Sequence, residues 1–258
     1  MKLFPESAGI QLEFNKVKEL LVNYCQADYA RQKAAELRIH TRLDFVETDL
    51  RQSHEYRQLL ANAIYFPNDH ILNLSRELKL LSIPGSVLNA EELQLIRKLA
   101  ESMEKLFRWF DAERREAYPA LTKVISQTYY EKLIAELISE VLDEYGQIRD
   151  NASEDLKNIR MSLFRKRNEL RRLFEKIVAK LNKQGYLAEI EESFMSGRRV
   201  LAVLAEQKRT VKGILHGESD SRKTAFVEPE ETIELNNIIS ELESSEQKEI
   251  YRILRELT

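Results

Sequence analysis

Two long runs of helical apolar period flank a short β-patterned run between about Asp150 and Thr258, and this arrangement constrains the fold more than any other feature. In the first run the apolar positions are Leu156, Ile159, Leu163, Leu170, Leu173, Ile177 and Leu181. Steps of three, four, seven, three, four and four keep them on one helix face. The second run repeats the pattern with Leu235, Ile239, Leu242, Ile250, Ile253 and Leu257. From Val200 to Val227 β-branched residues and alternation take over. Two helices joined through a small β element predict an antiparallel stalk with a tip.

Charge is segregated along this stalk. Residues 151–185 carry ten Lys and Arg against four Asp and Glu, 198–224 carry seven against three, and 228–258 carry three against nine. Antiparallel helices of opposite charge attract. The whole chain sums to only -3, so net charge by itself points to no nucleic-acid partner. Over 258 residues, 43% are apolar, which suffices for a core; seven Gly and five Pro leave few punctuation marks for a β-rich fold. The expected class is mostly α. A single cysteine, Cys25, excludes an intrachain disulfide and fits a reducing compartment. Met1–Pro5 starts no signal-peptide pattern, and no run of about 18 apolar residues predicts a membrane span. The reading is a cytoplasmic protein.

Residues 1–149 read as an all-α core domain of about six helices. Leu12–Leu37 gives two helices broken near Gln26–Asp28, and Phe45–Leu60 gives another. Pro67-Asn68-Asp69 is a turn, and Ile71–Leu81 is a helix ended by Pro84-Gly85. Asn89 before Glu91 and Glu92 is an N-cap, Pro119 opens a further helix, and Tyr129–Leu142 carries another. Gly146 marks a turn before the stalk, which Asn151 or Ser153 caps and Gly185 ends. Lever helices are assigned to 150–185 and 233–258, and the tip to 186–232. The helical pattern continues to Thr258 without a stop signal, so a longer protein is expected.

No catalytic set emerges. The chain lacks the G-x-x-x-x-G-K-[ST] and G-x-G-x-x-G phosphate patterns. His40, His54, His70 and His216 have no Cys or His partner at zinc spacing, and the H-x-E of His216-Gly217-Glu218 lacks its P-C-x-x-C. Glu91-Glu92, Glu191-Glu192 and Glu230-Glu231 read as solvated acids rather than metal ligands.

The tip is predicted to hold three strands, at 200–205, 211–216 and 223–227. It carries Arg198, Arg199, Lys208, Arg209, Lys212, Arg222 and Lys223. These cations suit phosphate contact, and they equally suit a solvated surface with lysine-blunted strand edges. Phe226 is read as core. The stalk cations between Arg160 and Lys183 are read first as partners for Glu241, Glu243, Glu246 and Glu249, and second as a nucleic-acid channel.

Several stretches resemble the MutS family: 12–21, Gly146–Ser153 with Leu156 and Ile159-Arg160, Gly197–Val200, Lys212–His216, and Phe226–Pro229 with Glu234–Asn237. The tip narrows the resemblance to the second bacterial branch, linked to suppressing recombination, and it spans essentially the whole chain. It implies a core, lever helices and a clamp-like tip, joined in the family to an ATP-binding-cassette ATPase and, in this branch, an Smr nuclease domain. ATP and Mg would belong to that ATPase and not to these residues, which are expected to be non-catalytic. Family members form homodimers that ring a nucleic-acid duplex, and this branch is linked to branched DNA and to rescue of collided ribosomes. Arg199 and Arg222 depart from the branch pattern, which has an aromatic at the first place and a Ser-Gly at the second. The expectation is a lever and clamp that couples ATP state to nucleic-acid clamping. The rivals are a ribosome-associated factor whose tip meets ribosomal RNA or protein, and a helical protein-interaction module.

Overall fold

In the computed structural model, which describes residues 7–40, 42–68 and 72–258, the chain divides into two units. One runs up to Gln147 and takes in Leu257 and Thr258; the other is Ile148–Glu256. Met1–Pro5, the turn residue Asp69, His70 and the expected helix start at Ile71 lie outside the described residues.

The first unit is helical: α1 (Ala8–Gln11), α2 (Phe14–Tyr24), α3 (Asp28–Ala35), α4 (Leu43–Ala61), α5 (Ser75–Leu81), α6 (Ala90–Trp109), α7 (Ala112–Ala117), α8 (Pro119–Ser126) and α9 (Lys132–Val141). The helix starts follow local chemistry. At α6 the Asn89 side chain accepts the Glu92 N–H and the Glu92 carboxylate accepts the Asn89 N–H, both at 2.9 Å, a reciprocal capping box. At α8 the Glu55 carboxylate reaches over from α4 to accept the N–H groups of Ala120 and Leu121 at 3.0 and 2.8 Å. Its charge sits where the helix dipole is positive. Leu59, Trp109, Phe110 and Ile125 form the core here, with the Phe66 ring edge-on to Trp109 at 5.0 Å. The seven helical stretches read from the sequence, set down as about six helices, become nine among the described residues. The unforeseen α1 and α7 are four and six residues long, too short to display an apolar period. Helix α5 begins at Ser75 because the Asn73 side chain accepts the Ser75 N–H at 3.2 Å and turns the chain just before it.

In the second unit the predicted stalk forms. Helix α10 (Glu154–Lys183) is 30 residues long, about 45 Å at ~1.5 Å per residue. Ser153 caps it, its Oγ accepting the Leu156 N–H at 3.0 Å. Its far end closes in a Schellman motif: Gly185 at φ +68° donates to Asn182 and Tyr186 donates back to Leu181. Helix α11 (Ile233–Leu257) returns antiparallel. Ser153 Oγ donates to Glu249 at 2.6 Å, Arg160 pairs with Glu246 at 2.7 Å and Arg167 with Glu243 at 2.6 Å. Of the four acids expected to receive stalk cations, Glu246 and Glu243 do so. Glu249 instead bonds Arg252 and Ser153, which hold its carboxyl down at about 2, and its burial opposes them.

Four strands close the unit: β1 (Leu187–Met195), β2 (Arg198–Leu204), β3 (Gly213–Glu218) and β4 (Thr224–Pro229). They form one antiparallel sheet in the order β1-β2-β4-β3. The three expected strands are thus corrected to four. The strand missed, β1, is an edge with a register shift between Leu187 and Glu192, and a bulge destroys strict alternation. The sheet packs Leu201, Val203 and Val227 onto Leu170, Phe174 and Leu181 of α10 and onto Leu235 and Ile239 of α11. Among the described residues no helix is long and apolar enough to cross a membrane.

Candidate nucleic-acid interface

The register of the sheet sorts the seven tip cations into two groups. At the far end of α10, Tyr186 accepts from the Leu204 N–H, Leu204 pairs with Thr224, and Lys223 accepts from the Ala205 N–H. That row carries the β3–β4 turn with Arg222 and Lys223, and the segment after β2 with Lys208 and Arg209. At the opposite end of the strands, Arg198 and Arg199 begin β2, and Lys212 precedes Gly213, which pairs with Pro229 just before α11. The seven residues therefore do not form one patch.

The group near α11 is largely internal. Arg198 donates to Glu228 at 2.7 Å and also to Asn237. Glu228 is fully buried on β4, and it accepts from Asn236 at 2.9 Å and lies 2.6 Å from His216 Nε2. One carboxylate thus ties β2, β3, β4 and α11 together. Burial pushes its pKa up, but the donors His216, Asn236 and Arg198 outweigh burial and leave it below the usual carboxylate value. Arg199 makes a two-pronged contact with Glu192 and lies over the Phe174 ring at 4.8 Å. His216, which had no partner in the sequence, turns out to belong to this network. Lys212 is exposed.

The distal group faces solvent. Arg209, Arg222 and Lys223 are exposed and, among the described residues, none has a carboxylate within ion-pair distance. Lys208 is the exception, bonded to Glu218. That hydrogen bond and the lysine charge hold the Glu218 carboxyl low, with a weaker pull from Arg222. Arg222 sits at φ +56°, in the left-handed region, where its N–H closes a turn onto Ser219 at 2.7 Å. The left-handed region costs an L-residue roughly 1–2 kcal/mol. Arg222→Gly is expected to raise stability by about 1 kcal/mol in urea unfolding and at the same time to weaken anion binding, since strain and charge belong to the same side chain.

One exposed aromatic was not legible in the sequence. Phe194 on β1 is 68% exposed, opposite Arg199 in the register, while Phe226, expected in the core, is only half-buried. The irregular edge strand hid it.

Among the described residues no group of three His, Cys, Asp or Glu could hold a metal ion. The starts of α6, α7 and α10, and of α9, are already capped by the side chains of Asn89, Asp111, Ser153 and Glu131. These acceptors occupy N–H groups that a phosphate would need, and three of the four starts also carry acids in the first turn.

No family model matches the chain. It is similar to proteins named Endonuclease MutS2. It is 33% identical to that of Thermomicrobium roseum over 250 residues, which is 96% of this chain and 31% of the relative. Over 254 residues it is 30% identical to that of a Geobacillus species, covering 96% of this chain and 32% of the relative. Against the Aquifex aeolicus protein the identity is 27% over 249 residues, again 96% of this chain and 32% of the relative. The chain spans about a third of the length of the curated relatives it matches.

Proposed function

We propose that these residues form the lever and clamp-like tip of a MutS-like DNA-binding protein, and that the distal row grips the phosphate backbone of duplex or branched DNA. The observation that carries this reading is the row itself. Sheet register gathers Lys208, Arg209, Arg222 and Lys223 at the end of a ~45 Å helix, beyond the reach of the acids on α11. Phosphates bind such cations and release counterions, with no base readout needed. Likeness to proteins named as MutS2 endonucleases supports DNA as the polymer. The lever role, homodimer pairing and response to ATP state belong to the same proposal. Nucleotide chemistry by these residues forms no part of it.

The test is titration of a labelled four-way DNA junction with the 258-residue chain across a salt series. Replacing the four distal cations with alanine is expected to reduce the slope of log affinity against log salt by about 3.6, at ~0.9 for each phosphate no longer neutralised. Replacing Lys212 alone should leave that slope unchanged. An unchanged slope in the quadruple variant removes the distal row from the interface.

A further inference from the structure

Helix α10 joins α11 by a simple recipe. An apolar seam is flanked by cations that meet carboxylates from the partner helix, as in Arg160 with Glu246 and Arg167 with Glu243. A second stripe of α10 repeats the recipe with the partner missing. Lys157, Met161, Phe164, Asn168, Arg172 and Lys176 follow one another in steps of three or four, so they share one face over about 30 Å. Met161 is 42% exposed and Phe164 71% exposed. Two grooves of about 870 and 520 Å³ border this face and share Phe164 and Arg165; the larger also reaches Asp150 and the Arg160–Glu246 pair beside α11.

The charges around the grooves are as telling as the apolar floor. Arg165, Arg172 and Lys176 are exposed, and among the described residues none has a carboxylate in ion-pair range. Their neighbours Lys166 and Arg171 are engaged within the helix by Glu169 and Glu175. Three unengaged cations therefore adjoin the apolar pair Met161 and Phe164: Arg165 beside it, and Arg172 and Lys176 further along the same face. A thioether and a phenyl ring offer nothing to a phosphate chain, but they are anchors for leucine-type side chains.

We propose that this face of α10 docks an amphipathic helix of a partner protein whose apolar stripe is flanked by carboxylates. Its apolar residues cover Met161 and Phe164, and its acids reach Arg165, Arg172 and Lys176. The straight groove fits a partner segment of about 20 residues, five to six turns.

The probe is a fluorescent designed helix of about that length, with leucines along one face and glutamates beside them, titrated into the 258-residue chain. Saturable binding is expected, weakened about tenfold or more by Phe164→Asp and by the pair Arg165→Glu and Arg172→Glu, while Lys212→Ala leaves it unchanged. Both sites are exposed, so thermal melting of the variants should match the parent and separate lost docking from lost folding. Equal binding of a helix carrying lysines in place of the glutamates would overturn the proposal. So would displacement of the acidic helix by duplex DNA in a Phe164-dependent manner, which assigns the face to nucleic acid. Self-association of the chain that Phe164→Asp abolishes would assign it to a second copy, and failure of the acidic helix to bind refutes this partner.

Discussion

Glu228→Ala is expected to destabilise the sheet-bearing unit by about 3–5 kcal/mol, the range for breaking a buried ion pair from one side. Removing the carboxylate leaves Arg198 without its buried partner and strips His216 and Asn236 of their acceptor. Glu228→Gln keeps the volume and one carbonyl oxygen, so a smaller loss is expected. The pH dependence has a definite sign. The folded carboxyl titrates below its ordinary value. Its contribution is therefore present above that ordinary value and is lost as pH falls through the lower, folded one. Acidification should narrow the gap between the parent and Glu228→Gln. Amide exchange at 198–204 and 224–228, followed at neutral and acid pH, reads the effect at the strands themselves. A Glu228→Ala chain with parental exchange would remove the carboxylate from the joint.

Gly213→Ala should be nearly as severe. A Cβ at Gly213 would lie 2.0 Å from the backbone oxygen of Glu228 and 2.8 Å from its carbonyl carbon. No rotamer relieves a clash with backbone, so β3 must move off β4. Overpacking ordinarily costs about 1–3 kcal/mol, and a backbone clash belongs at the upper end. The displaced strand also carries His216 away from Glu228, so the two variants should combine less than additively. The chain's single tryptophan, Trp109, lies in the helical unit. Tryptophan fluorescence is therefore expected to stay parental while amide exchange over 213–218 accelerates. Parental exchange there would show that β3 tolerates the extra carbon.

Much of this architecture was legible because its determinants are local. The seam from Leu156 to Leu181 and the caps at Asn89 and Gly185 operate within a few residues and appear where the sequence places them, and of Asn151 and Ser153 it is Ser153 that caps α10. Strand β1 was not legible. Leu187–Met195 contains three glutamates and a bulge, so neither composition nor alternation marks it, and only its pairing with β2 makes it a strand. The site was half legible for the same reason. Positive charge at the tip is a matter of composition. Which cation faces solvent depends on register: Arg198 and Arg199 lie within hydrogen-bond reach of Glu228 and Glu192 only once the strands align. Arg222 and Arg199 look equivalent in the sequence, yet one is strained and exposed and the other is engaged over Phe174.

The strand order has a mechanical consequence. Helix α10 feeds the edge strand β1, whereas α11 is drawn from β4, an inner strand, and β2 lies between them. Arg199 over Phe174 and Leu204 beside Tyr186 lay β2 lengthwise along α10. Sliding one helix past the other would thus load the ladder hydrogen bonds sideways and all at once, in shear, instead of peeling them singly. Under the proposed lever role, a push along either rod would reach the loops at the end as rigid displacement, with the sheet as the weld between the rods.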